Sequence, residues 1–206
     1  ISKYLMVILV GFAIQMFIIY PVFLKCFSKV SAAMLFSAIA EAMMVAFGTA
    51  SSSATLPLTI ACCEKRGISH KISSFVLPLG ATLNFDGTAL LQTVAVIFLA
   101  QAYQVHLTPF LVVQIAVLAI IASSTCAGIP GGGLITIALI LNGMGLSPEQ
   151  LVAGFAFLFT IERLTDMFRT TLNITSDAVV AATIADNENE INYDLLNNPA
   201  AYEEIA

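Results

Sequence analysis

Phe155-Ala156-Phe157-Leu158-Phe159-Thr160-Ile161-Glu162-Arg163-Leu164-Thr165-Asp166-Met167-Phe168-Arg169-Thr170-Thr171-Leu172-Asn173-Ile174-Thr175-Ser176-Asp177 is an apolar run with charge built into it. Wound as a helix at about 100° per residue, it gathers Glu162, Asp166, Arg169, Thr170, Asn173 and Asp177 within an arc of about 100°. Phe155, Phe157, Leu158, Phe159, Met167, Phe168, Leu172 and Ile174 surround that arc. Ionisable groups at membrane depth cost at least about 2.5–3.5 kcal/mol each, so they persist where they pair or line a pathway. Asp166 and Arg169 can pair at i, i+3. A face that only glued helices together would explain that pair and leave the other acids unexplained. The surplus negative charge wants a cation, either a metal ion or the ammonium of a solute, and Arg169 is suited to a carboxylate.

The rest of the chain needs the same solvent. Of its 206 residues, 59% are hydrophobic and 10% charged, against about 25% charged in a soluble domain. Tyr4 to Phe23 reads as a first crossing, ended by Lys25 and Lys29. Val30 to Cys63 is apolar but broken by Gly48-Thr49-Ala50-Ser51-Ser52-Ser53. Its two limbs are too short for two comfortable crossings, so a re-entrant hairpin with a buried Ser-rich tip is expected. After the loop Glu64 to Lys71, Ile72 to Leu99 is interrupted by Asn84-Phe85-Asp86-Gly87-Thr88. Leu107 to Leu146 is interrupted at Ser123 to Gly133, and Pro148 to about Ile184 reads as one long helix.

Two hairpins, each followed by a helix with a buried acid, imply an internal repeat. Ser52 to Asp86 spans 34 positions and Gly131 to Asp166 spans 35. Interrupted apolar segments in matching halves point to the solute site of a secondary transporter. Lys25, Lys29, Lys65, Arg66 and Lys71 fall on one side if the first hairpin re-enters and returns, and that side is the cytoplasm. Asp, Asn and Gly in the second interruption favour unwinding, which frees carbonyl oxygens to join the Asp86 carboxylate around a hard cation such as Na⁺. The two tips, Ser51–Ser53 and Ala127–Gly133, would turn free backbone N–H groups toward an anionic group.

Six acids, Asp186, Glu188, Glu190, Asp194, Glu203 and Glu204, occupy the last 21 residues, and 186–206 reads as an acidic, partly disordered cytoplasmic tail. The chain has no basic patch, and no nucleic acid is expected as a partner. Cys26, Cys62, Cys63 and Cys126 lack metal-ligand spacing and read as small apolar fillers. His70, His106, Glu41 and the pair Met43-Met44 carry no functional expectation. Ile1 lies inside what reads as a membrane segment, so a longer protein is expected.

Ser51-Ser52-Ser53-Ala54-Thr55-Leu56-Pro57, Asn84-Phe85-Asp86-Gly87-Thr88, Ala127-Gly128-Ile129-Pro130-Gly131 and Asp166-Met167-Phe168-Arg169-Thr170, followed by Asn173 and Asp177, occur in order. Together they resemble the glutamate transporter family of dicarboxylate/amino acid:cation symporters, over about Lys3 to Ala185. The resemblance implies a trimeric elevator transporter, with 1–185 as a transport domain lacking its N-terminal helix and the scaffold. It implies that Ser52, Ile129 and Gly133 meet the substrate through the tips. Asp166 would take the ammonium and Arg169 the side-chain carboxylate, with Thr88, Thr170 and Asn173 on the remaining polar groups. Two or three Na⁺ ions would use Gly80, Asn84, Asn173 and Asp177, then Asp86 with Asn84, then Thr82, Ser123, Ser124 and Cys126.

Phe85 stands where such proteins often carry methionine, and Ala50 and Met167 stand where some carry an extra arginine. Arg163, one turn before Met167, is a candidate substitute. The resulting expectation is an all-α, multi-pass cell-membrane protein (the inner membrane in a bacterium), with transmembrane helices and two re-entrant hairpins in an inverted repeat. It would be a homotrimeric symporter of aspartate or glutamate with Na⁺, in contact with lipid and the missing scaffold, and without an organic cofactor. A proton-coupled carrier of glutamate or C4-dicarboxylates is the nearest alternative. A ligand-gated channel would show a continuous polar stripe on several helices. No Ser/His or Asp/Asp pair with a plausible base suggests an enzyme.

Overall fold

The computed structural model describes residues 2–142 and 146–197. A helical rod opens the chain, with α1 (Ser2–Ile14) and α2 (Tyr20–Phe27) joined by a π-helical turn at Gln15–Ile19. Pro21 accounts for that turn: it has no N–H for the Phe17 carbonyl and its ring crowds the preceding turn. The rod is 26 residues long and apolar enough to cross a bilayer. Its Tyr4, Ile8, Phe12, Met16, Tyr20 and Leu24 are buried against the protein, while Met6, Val10, Phe17 and Val22 on the other sides are exposed. Apolar residues turned outward suit a lipid solvent.

The first hairpin follows. α3 (Ala32–Ala38) and α4 (Ala40–Thr49) form its first limb, bent by 60° between them. α5 (Ser52–Lys65) returns as the second limb and packs on α4. α6 (His70–Leu83) and α7 (Asp86–Ala102) then make a broken span. Its helical bonding stops at the 2.8 Å bond from Asn84 N–H to the Gly80 carbonyl, where Asn84 and Phe85 leave helical dihedrals. α8 (Pro109–Ser123) and α9 (Gly132–Asn142) pack as the second hairpin, and α10 (Pro148–Asn187) closes the bundle with 40 residues. Ser147 and Gln150 start α10 with a reciprocal capping box, and Pro148 sits in its first turn.

Each half therefore runs hairpin, then helix, and the all-α membrane architecture expected from the sequence is what the chain adopts. α10 is the axle, touching both hairpins, the broken span and the rod. From Thr165 to Ala185 nearly every side chain on it is buried. A helix buried all round is normally apolar, and this one is not.

Beyond Asn187 the chain turns back under the α5–α6 connection. Ser69 N–H donates to Glu190 O at 3.0 Å, Asn192 N–H donates to Gly67 O at 2.8 Å, and Leu196 of the short α11 (Tyr193–Asn197) is buried. Asp186 accepts from Ser28 Oγ, from Lys29 N–H and from the Tyr193 hydroxyl, tying the end of α2 to the end of α10. A hydrogen bond from Lys71 is the main reason the half-buried Glu190 carboxyl lies below its ordinary range. Glu203 and Glu204 lie outside the described residues.

Candidate functional site

The two tips meet. Gly128 O accepts from Ser53 N–H at 3.2 Å and from Ser51 Oγ at 2.8 Å. Ser51 Oγ also accepts from Ala54 N–H at 3.2 Å as the N-cap of α5. Ser51→Ala removes the cap and one of the two inter-tip bonds. The expected loss is about 1 kcal/mol for each interaction, read as faster hydrogen exchange at the Ser53 and Ala54 amides.

Directly under this junction lies an ion pair on α10. Arg169 donates to Asp166 Oδ1, and both side chains are almost fully buried. Asp166 Oδ2 accepts from Gly131 N–H at 2.9 Å, and Thr170 Oγ1 lies 3.5 Å from Oδ1. Gly131 aims its N–H by a backbone turn with φ +78°, a left-handed conformation that a side chain would strain. A Cβ on Gly133 would collide with Arg169 Nη1, so glycine lets the second tip close over the guanidinium. Arg169 Nε has no partner among the described residues. Thr88 is fully buried across from this pair, and its Oγ1 accepts from Asn173 Nδ2 at 3.2 Å.

Among the expected substrate residues, the fold thus brings Gly133, Asp166, Arg169, Thr170, Thr88 and Asn173 into one buried neighbourhood. Ser52 is buried at the start of α5, and Ile129 stands exposed in the second tip.

The expected cation residues form two groups below the solute neighbourhood. Where α6 ends, Asn84 Nδ2 donates to Asp177 Oδ1 and to Ser176 Oγ, each at 2.9 Å. Gly80 faces the same carboxylate so closely that a Cβ there would sit 2.5 Å from Asp177 Oδ1. Asn173 Oδ1 accepts from Gly87 N–H at 2.9 Å, linking this group to the broken span. Asp86 begins α7, where its Oδ1 shares the Gly87 N–H with Asn173, accepting at 2.8 Å, and its charge favours the helix N-terminus. The second group borders the second hairpin. Asn84 and Asp86 share a cleft of ≈ 540 Å³ with Ser123 and Ser124.

The Ser123 and Ser124 hydroxyls both donate back to Ile120 O, and the Thr82 hydroxyl, exposed, donates to Leu79 O and Pro78 O. These three side chains are self-satisfied within their own helices, which leaves backbone carbonyls as what those positions can offer. Cys126 Sγ lies 3.3 Å from Thr136 Oγ1 beside the fully buried Gln92. The Asp86 and Asp177 carboxylates and the Asn173 side-chain oxygen are hard oxygen ligands of the kind Na⁺ takes, while Asn84 turns its amide nitrogen to Asp177. Among the described residues no group of three or more His, Cys, Asp or Glu gathers as for a transition metal.

Sequence reasoning missed Gln15 and Tyr20, which both reach Asp86 from the rod. Their signal was present: two polar groups five apart in an otherwise apolar span, just before a proline. It also missed Ser176, and the cluster of Gln92 with Thr136 and Cys126. Glu162 is buried, and its Oε1 has no partner among the described residues. Arg163 reaches the Gly48 carbonyl at 3.3 Å and not the solute neighbourhood. It meets the end of α4, where a cation is favourable.

Comparison with known proteins adds an independent line. The family model described as "Sodium:dicarboxylate symporter family" matches residues 1–187. A Caenorhabditis elegans protein described as a putative sodium-dependent excitatory amino acid transporter, glt-4, is 37% identical over 182 residues, covering 88% of this chain and 36% of the relative. Human excitatory amino acid transporter 2 is 36% identical over 184 residues, covering 89% of this chain and 31% of its own. Human neutral amino acid transporter B(0) is 38% identical over 181 residues, with 87% and 33% covered. The chain spans about a third of the length of the curated relatives it matches.

Proposed function

The chain belongs to the sodium:dicarboxylate symporter family, a transporter family and not an enzyme family, and from that premise we propose that it forms the solute- and cation-binding core of a symporter carrying aspartate or glutamate with Na⁺. The observation that carries the reading is the buried Asp166–Arg169 pair beneath two tips bonded to each other. An acidic amino acid offers both of its charges to that pair: its ammonium to Asp166 and its side-chain carboxylate to Arg169. A neutral amino acid leaves the guanidinium buried and unmatched, and a dicarboxylate without an ammonium leaves Asp166 so. Breaking a buried pair from one side costs about 3–5 kcal/mol, enough to choose between these solutes.

Solute entry exchanges internal pairs for new ones. The Gly131 N–H now on Asp166 and the Ser51 and Ser53 donors now on Gly128 are the groups a bound molecule would engage or release. Gly80, Asn84, Asn173 and Asp177 would hold one co-transported Na⁺, and Asp86 with Asn84 a second. Backbone oxygens of Thr82, Ser123, Ser124 and Cys126 would hold a third. Each ion offsets carboxylate charge that burial penalises, so solute and cations bind best together. The complete transporter would be a homotrimer in the cell membrane, with this chain as the moving element against a scaffold.

The test is uptake into proteoliposomes of the full-length transporter under an inward Na⁺ gradient or an inward proton gradient, with labelled L-aspartate, L-alanine and succinate. Aspartate uptake driven by Na⁺ and not competed by the other two is the expected result. Proton-driven uptake would replace the cation assignment, and efficient alanine uptake would replace the substrate assignment.

A further inference from the structure

The π turn in the first helix does work that the sodium and solute assignments leave unused. Gln15 Nε2 and the Tyr20 hydroxyl both lie 2.7 Å from one oxygen, Asp86 Oδ2. Positions five apart on an α-helix point about 140° away from each other, whereas the wider i→i+5 turn swings them toward the same side. Tyr20 N–H closes that turn on Gln15 O, so the pair that grips Asp86 is also the pair that defines the π geometry. Tyr20 is 4% exposed. Its single proton belongs to Asp86 at 2.7 Å, with Leu172 O farther away at 3.3 Å and the Ser176 hydroxyl beside both Tyr20 and Asp86.

The consequence for Asp86 is a division of labour between its oxygens. Oδ2 takes two donors from the rod and Oδ1 takes one, Gly87 N–H at 2.8 Å. With both lone-pair directions of Oδ2 occupied, Oδ1 is the oxygen with acceptor capacity to spare. Gln15 and Tyr20 thus fix the carboxylate's rotation about its own bond, and with it the direction the spare oxygen faces.

We propose that Gln15 and Tyr20 are positioning residues for cation binding, holding the Asp86 carboxylate through the π turn so that Oδ1 faces the ion. The inference rests on the reading of Asp86 as a sodium ligand. It couples the first helix, which carries none of the expected ligands, to the cation sites of the broken span.

The experiment measures sodium activation of aspartate uptake by the full-length transporter in proteoliposomes. Variants are Tyr20→Phe, Gln15→Met and Asp86→Asn, each alone and the first two combined with the third. Tyr20→Phe and Gln15→Met are each expected to raise the half-saturating Na⁺ concentration about three- to tenfold, the net weight of one ordinary hydrogen bond. The aspartate KM at saturating Na⁺ should stay unchanged.

In the Asp86→Asn background the same two changes should alter sodium activation by less than about 1.5-fold, because residues that act through one group are not additive. A packing defect would act equally in both backgrounds, and that result overturns the inference, as does an unchanged Na⁺ dependence in both single variants. Should Tyr20→Phe fail to fold, Gln15→Met carries the test alone. If Asp86→Asn itself leaves Na⁺ activation untouched, the sodium reading of Asp86 fails and the inference goes with it. If Asp86→Asn shifts it and the rod variants do not, only the inference fails.

Discussion

Arg169→Ala is expected to abolish high-affinity aspartate uptake, with affinity falling by about two to three orders of magnitude. Arg169 is 4% exposed, paired with Asp166 and covered by Gly133. Truncation removes the fork that a side-chain carboxylate needs and leaves Asp166 buried without its cation. The two losses are separable by experiment. Arg169→Lys keeps the positive charge and gives up the planar bidentate geometry, so it should restore folding more fully than affinity. Isothermal titration with aspartate and with a neutral amino acid, in saturating Na⁺, distinguishes the cases. Retention of aspartate affinity by Arg169→Ala would remove Arg169 from the substrate site. A gain of neutral amino acid binding would place its role at the side-chain carboxylate specifically.

Gly80→Ala is the second large effect, and it arises from space instead of charge. The added Cβ would lie 2.5 Å from Asp177 Oδ1 and 2.7 Å from its carboxyl carbon. Real Cβ atoms do not approach so closely, so α6 and α10 must part or the carboxylate must turn away from Asn84. Overpacking of this kind costs about 1–3 kcal/mol in stability. The functional loss should be larger, because Asp177 and the carbonyls at the end of α6 are the proposed Na⁺ donors. We expect the half-saturating Na⁺ concentration to rise at least about tenfold, equivalent to about 1.4 kcal/mol. Asp177→Asn makes the complementary change, keeping the shape and removing the charge, and should weaken Na⁺ activation as well. If Gly80→Ala lowers melting temperature without changing Na⁺ activation, the carboxylate lies outside the cation pathway.

Much of this architecture is legible in the amino-acid sequence. Hydropathy and length marked the first rod, the two interrupted stretches and the long last helix, because lipid tolerates unpaired backbone groups only where protein buries them. The arc from Glu162 to Asp177 was readable because helical periodicity is local, and all six of its residues are buried in the fold. Limits of elements were less exact: the last helix runs on to Asn187 and the first to Phe27. The bend between α3 and α4 carries no clear sequence mark.

What local pattern could not supply is which groups use one another. The tip amides were expected to face an anion, yet Gly131 N–H meets the protein's own Asp166, and Ser53 N–H meets Gly128 O. Arg163 lies one turn from the substrate face, but its helix position turns it to Gly48. Gln15 and Tyr20 lie 71 and 66 positions from Asp86, a separation that no periodicity spans.

By itself the sequence determined the solvent, the helical class, the repeat and the chemical kinds of group available, since each depends on composition or on neighbours along the chain. Only the tertiary structure decided that the two tips bond to each other and the second closes on an ion pair, that Gly80 and Gly133 leave room for a carboxylate and a guanidinium, and that a π turn delivers two donors to Asp86. Those facts depend on packing between segments distant in sequence, where a few tenths of an ångström separate contact from collision.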